Sequence, residues 1–190
     1  MTDTPRHERL RSIESAAIAG VVYAVLTIVA LFLLRLPADL SLSDETLSSW
    51  FEDAGNRATL IIGLNLVSIA SVAFLWFVAV IRRRIGDSED RFFSTVFLGS
   101  AIIYVATYIT GTVALAAPAL AFSMLDNASV DGTSATLAVG TATGLLLVIG
   151  PRIQAVFMFT TSTLILRAAA VSYTHLRAHE TNDLISYAVF

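Results

Sequence analysis

The chain has 190 residues, of which 56% are hydrophobic and only 14% charged, and its formal net charge is -3. A water-soluble domain carries about 25% charged residues, and a chain of this length has too little interior to hide so much apolar surface, so the composition points to lipid as the solvent. The charge gives no electrostatic footprint for nucleic acid, and the absence of cysteine excludes disulfides, thiolate metal sites and cysteine nucleophiles.

A hydrocarbon core of about 30 Å is crossed by about 20 helical residues rising about 1.5 Å each. The first run that long is Ala16 to Leu34, uncharged throughout, and it follows a short tail, residues 1–15, that carries Arg6, Arg9 and Arg11. A cleaved signal peptide is the competing reading of this run. The run exceeds an ordinary signal core and no clear A-x-A site follows it, so a retained span is preferred. In the loop after it, Ser43 is placed to cap a short helix with Leu47, Trp50 and Phe51 on one face, and Gly55 to end it. This predicts an interfacial helix on the outer membrane surface, with a ligand-binding lid as the lesser alternative.

The second run is Ala58 to Ile81, between Arg57 and Arg82. Asn65, with Ser68 and Ser71 nearby, is expected to make an interhelical hydrogen bond; a substrate contact is the other reading. The loop that follows places Arg82, Arg83 and Arg84 at a helix C-terminus and Asp87, Glu89 and Asp90 before the next N-terminus. Each set matches the sign the helix dipole favours there, which predicts a tight helical hairpin. The triple arginine reads as a topology signal first and an anionic-lipid site second.

The third run is Phe93 to Phe122, and Pro118 is expected to end or kink it. The fourth is Thr133 to Leu166, with Gly150-Pro151 near its middle. One long kinked helix is preferred there over a re-entrant pair of short halves. Gly140 and Gly144 form a G-x-x-x-G, a spacing that lets two helix backbones approach, and packing within this subunit is preferred over dimerisation. The hydroxyls of Thr160, Thr161, Ser162 and Thr163, like those of Thr107, Thr110 and Thr112 in the third run, can bond back to their own helices. Asn127-Ala128-Ser129 is a formal glycosylation acceptor, without meaning in a bacterial protein.

Arginines favour the cytoplasmic side. They crowd the N-terminal tail, the second loop and Arg167, while the first and third loops are dominated by Asp39, Asp44, Glu45, Glu52, Asp53, Asp126 and Asp131. The N-terminus and Arg167 are therefore expected in the cytoplasm, and the protein in a bacterial inner membrane.

An ionisable group at membrane depth is a functional candidate by default. Arg152 is the only one well inside a run, and no carboxylate lies within any of the four. Arg152, Gln154 and Asn65 make up the candidate intramembrane polar site. One reading of Arg152 is an anionic ligand or head-group site. The other is that it snorkels outward or braces the backbone carbonyls freed by Pro151. No serine–histidine or paired-aspartate constellation occurs within the runs, and no phosphate loop or H-E-x-x-H. No catalytic, cofactor-binding or metal residue is assigned, and no cofactor is expected.

After Ala170 the character changes. Val171 to Thr181, V-S-Y-T-H-L-R-A-H-E-T, resembles one translated frame of a transposase-type sequencing-library adaptor, and Ile185 to Phe190, I-S-Y-A-V-F, resembles its segment beyond the index. Residues 171–190 are therefore set aside as a non-native tail, and with them the metal-like spacing of His175 and His179. Within the remainder, E-D-R-F-F-S-T-V-F-L-G-S (Glu89 to Ser100) and P-R-I-Q-A-V-F-M-F-T-T-S-T-L-I-L-R (Pro151 to Arg167) resemble a family of bacterial, especially actinobacterial, multi-span membrane proteins. The resemblance covers roughly Ala16 to Arg167. It implies an original of about six helices, of which this chain keeps four, and it supplies no activity, ligand or catalytic residue.

The fold expected is an all-α integral membrane bundle of four transmembrane helices over 16–167. The function expected is a non-enzymatic multi-pass protein acting through association with membrane lipids or with a membrane protein partner. The alternative is a small transporter or channel subunit with Arg152, Gln154 and Asn65 near its pathway.

Overall fold

The computed structural model describes residues 4–35, 43–85, 91–124 and 130–166. The 171–190 tail, the acidic Asp87–Asp90 stretch and the Asn127 acceptor lie outside them. Five helices follow one another: α1, Thr4–Leu33; α2, Asp44–Glu52; α3, Ala54–Ile85; α4, Arg91–Met124; and α5, Gly132–Leu166. Among the described residues all regular structure is helical. By length and composition α3, α4 and α5 can each cross a membrane, whereas the apolar part of α1, Ala17–Leu33, is shorter. At about 1.5 Å per residue it still rises about 25 Å.

The long helices pack in chain order, α1 on α3, α3 on α4 and α4 on α5, while α2 lies across one end against α5, α3 and α4. Two apolar clusters fill the interior. The one under α2 joins Ala30, Leu34, Leu47, Phe51, Leu60, Val67, Leu115, Ala119, Ala135, Val139 and Ala142. The other, in the far half, joins Phe74, Val78, Phe97, Ala101, Tyr104, Val105, Phe157 and Leu164.

The capping prediction for α2 holds at its start. Ser43 is the N-cap, and its Oγ accepts from the Thr46 N–H at 3.4 Å. The expectation for its end needs correction. The helix stops at Glu52, and Gly55 lies within the first turn of α3, because Asp53 caps α3 by accepting from the Asn56 N–H at 2.8 Å. The last carbonyls of α2, which a free helix end would leave unpaired, are met from α3: Asn56 Nδ2 donates to Trp50 O at 3.0 Å, and the Arg57 guanidinium donates to Phe51 O at 3.4 Å and to Glu52 O. The same guanidinium lies 5.3 Å from the Phe122 ring centroid on α4. Leu47 and Phe51 are buried in the bundle, so the apolar face of α2 packs on protein.

The expectation that Pro118 ends a helix is also corrected, since α4 runs through it to Met124. Proline removes one ladder bond and crowds the carbonyl four residues back. Here the flanking Leu115, Ala116 and Ala119 are fully buried, so packing holds the segment helical despite the missing bond.

Candidate functional site

The disruption predicted at Gly150-Pro151 is a π turn. α5 is α-helical over Gly132–Thr143, π-helical over Gly144–Ile149 and α-helical again over 150–166. It is one continuous helix, so the re-entrant pair is excluded. The Gly150 N–H reaches the carbonyl of Leu145, five residues back. Pro151 offers no N–H, and its ring would press on the carbonyl of Leu147 in a tight helix; widening the turn relieves that pressure. The extra residue also resets the phase of the helix. Buried positions Ala135, Val139 and Ala142 precede the turn, and Gly150, Phe157, Thr160 and Leu164 follow it, all facing the bundle.

Arg152 is exposed, and its guanidinium donates to Val148 O, a carbonyl beside the interrupted ladder. It therefore braces its own helix, in the way proline-freed carbonyls invite. Its position along the bundle follows from Phe157, whose ring lies 5.2 Å from that of Phe74 on α3. At about 1.5 Å per residue, Phe74 is about 12 Å from Arg82, and Arg152 is about 7 Å beyond Phe157 in the opposite direction. Arg152 thus sits about 20 Å from the level of Arg82 and about 18 Å from that of Arg57.

The three residues singled out from the sequence are not joined. Asn65 is exposed, and its amide donates to Ile61 O at 2.8 Å within α3, which replaces the interhelical bond expected of it. Gln154 is half-buried, two residues after Arg152. No hydrogen bond among the described residues links the three. The back-bonded hydroxyls are as expected at Thr112, Thr160, Thr161 and Thr163, each reaching a carbonyl one turn earlier at 2.7 to 2.9 Å. The expectation for G-x-x-x-G is corrected: a Cβ added at Gly140 or Gly144 would meet nothing within 4 Å. The close approaches within the bundle are made instead by Gly63 against Leu34, and by Gly111 against Leu145 and Leu146.

The sequence reading overlooked an interior hydroxyl group. Tyr23 Oη and Tyr104 Oη are 3.0 Å apart, and the Tyr104 and Tyr108 rings stack at 5.9 Å. Tyr108 Oη, Thr27 Oγ1 and Thr143 Oγ1 are buried without a hydrogen-bond partner among the described residues. The available signal was the one-turn spacing of Tyr23 with Thr27 and of Tyr104 with Tyr108, which places each pair on one helix face.

Comparison with protein-family models, with curated proteins and with solved structures finds no match.

Proposed function

We propose that this protein is a non-enzymatic, multi-pass integral membrane protein of a bacterial cytoplasmic membrane. It holds four spans, α1, α3, α4 and α5, and acts by associating with lipid or with another membrane protein. The observation that carries this reading is where the large apolar side chains point. Phe32 is 71% exposed, Trp76 62% and Phe159 68%, and comparable residues line the outside of all four long helices. Water-soluble proteins do not leave contiguous apolar surface on this scale uncovered, whereas a bilayer solvates it. The arginine distribution supports an N-terminus in the cytoplasm, with α2 on the outer side.

The test is alkaline extraction with flotation of the expressed chain, together with reporter fusions after residues 42, 88 and 128. The expected result is a chain that resists alkali and floats with lipid, with the first and third fusions outside and the second inside. A chain that purifies soluble and monodisperse without detergent overturns the proposal.

A transporter or channel subunit is the second reading. It is favoured by the buried hydroxyls of Thr27, Tyr108 and Thr143, which have no partner among the described residues, since unpaired polar groups in an interior call for water or a polar ligand. Solute flux into proteoliposomes that falls on Tyr108→Phe would support it. Asn65 and Arg152, being exposed and bonded within their own helices, lend it no support.

A further inference from the structure

We infer that the face of α5 bearing Arg152 is a docking surface for a transmembrane helix of another protein, and that this helix carries a carboxylate at the level of Arg152. The inference deepens the association reading above and rests on its membrane premise.

Three observations converge on this face. First, α5 is less covered than α3 and α4: 17% of its most apolar window is buried, against 28% for α3 and 33% for α4. Second, the exposed residues of this face, with the half-buried Gly144, form a row. In an unbroken α-helix a row taken every fourth residue drifts around the axis. The π turn takes up that drift, so Gly140, Gly144, Val148 and Arg152 stay on one side, continued by Val156 and Phe159. Open space over both glycines leaves the backbone accessible to a close neighbour.

Third, the row contains a cation at mid-depth. Arg152 lies about 20 Å from the Arg82 level and about 18 Å from the Arg57 level by helix rise, too deep on either side for a head group to meet it readily. A cation at that depth is costly unless it faces protein and is paired. Its bond to Val148 O supplies hydrogen bonding but no opposite charge. None of the four apolar runs holds an aspartate or glutamate. A second copy of this chain would therefore bring another arginine and no carboxylate to the same depth. The missing charge is what identifies the occupant as an acidic helix.

The full chain, labelled with a donor dye and reconstituted in phosphatidylcholine vesicles, is titrated with acceptor-labelled synthetic Leu/Ala transmembrane peptides. One peptide has a central Asp, one a central Asn, one no polar residue, and one the Asp displaced by two turns. Energy transfer should report at least tenfold tighter association of the central-Asp peptide than of the other three. Arg152→Gln should remove that preference. Gly144→Leu should weaken association by blocking the face while leaving the charge in place, with unchanged helix content as the control for folding.

Equal association of all four peptides, or an Asp preference that survives Arg152→Gln, overturns the inference. So does Arg152-dependent recruitment of phosphatidylglycerol in place of the peptide, which would make the occupant a lipid. Self-association of the chain through Gly140 and Gly144 that excludes the peptide overturns it as well. Co-flotation of the chain with the vesicles is scored separately. Its failure sinks the membrane reading, whereas flotation without Asp preference sinks this inference alone.

Discussion

The half of the bundle under α2 and the half beyond it are held together in different ways. Under α2 the interior sets the alanines Ala30, Ala119, Ala135 and Ala142 among the aliphatic chains of Leu60, Val67 and Leu115 and the single ring of Phe51, with Leu34 and Leu146 seated over Gly63 and Gly111. In the far half it is built from rings. Phe74 lies 4.9 Å from Tyr23, 5.4 Å from Tyr104 and 5.2 Å from Phe157, which itself stacks on Phe97 at 5.2 Å. Helices in lipid gain little from apolar burial, since the tails are as apolar as leucine, and close packing must supply the attraction. The α2 half lets helices approach closely at Gly63 and Gly111, whereas the far half fills the gap between them with aromatic surface. The first arrangement is sensitive to added atoms and the second to removed ones.

The largest effect is expected at the hub of the aromatic half. Phe74→Ala should cost about 3 kcal/mol, toward the lower end for a buried ring because lipid solvates the unfolded side chains. Unfolding in mixed micelles by SDS titration measures it. A loss well under half that size would mean that the rings do not hold this half together.

Next comes an added methyl in the α2 half. A Cβ on Gly111 would stand 2.7 Å from Leu146 Cγ and 3.1 Å from Leu145 Cβ. Leu146 can turn aside, but Leu145 Cβ is fixed to the backbone. Gly111→Ala should therefore destabilise by about 1–2 kcal/mol, overpacking net of the gain in helix propensity. Gly140→Ala, with nothing within 4 Å, should be neutral or slightly stabilising in the same titration. Similar losses at both sites would remove the distinction between packed and open glycines on which the comparison depends.

The smallest effect concerns the start of α5. The Asp131 carboxyl is held below its ordinary range by hydrogen bonds from the Ser134 side chain and from the Ser134 N–H, the latter at 2.6 Å. A carboxyl lowered on folding contributes stability that is fully present above its unfolded value and is lost as pH falls through the folded one. The protection factor of the Ser134 amide, its exchange relative to an unstructured peptide at the same pH, should therefore fall in acid, below the ordinary carboxylate range, while the core of α5 is unaffected. Asp131→Asn should abolish that pH dependence. Persistence of the acid response in Asp131→Asn would assign it to another group.

Much of the architecture was legible along the chain. The cap at Ser43 lies within three residues of what it caps, and the apolar runs declare the long helices by length alone; the cap at Asp131, equally local, was not singled out. The break at Gly150-Pro151 could be located, because proline's missing N–H is a local fact. Its form could not: a kink, a pair of half-helices and a π turn satisfy the same local chemistry. The choice fell to the buried row of Ala142, Gly150 and Phe157, which has to meet α4 and α3 on both sides of the break. The bracing of Arg152 was one of two readings open from the sequence. The expectation for Asn65 failed because its side chain is exposed and its amide bonds to a carbonyl one turn back, Ile61 O. Gly55 misled because Asp53 is a stronger start signal for α3 than Gly55 is a stop signal for α2.

The sequence by itself determined the helical class and the start of α2, because these follow from composition and from contacts a few residues apart. It also determined that Arg152 has no counter-charge within the apolar runs. Only the tertiary structure decided which glycines are packed and which are open, and which hydroxyls end up buried without a partner. It likewise decided that α2 turns its apolar face into the bundle. Those outcomes depend on how distant helices are juxtaposed, and G-x-x-x-G spacing or an amphipathic face reads the same along the chain whether a neighbour covers it or not.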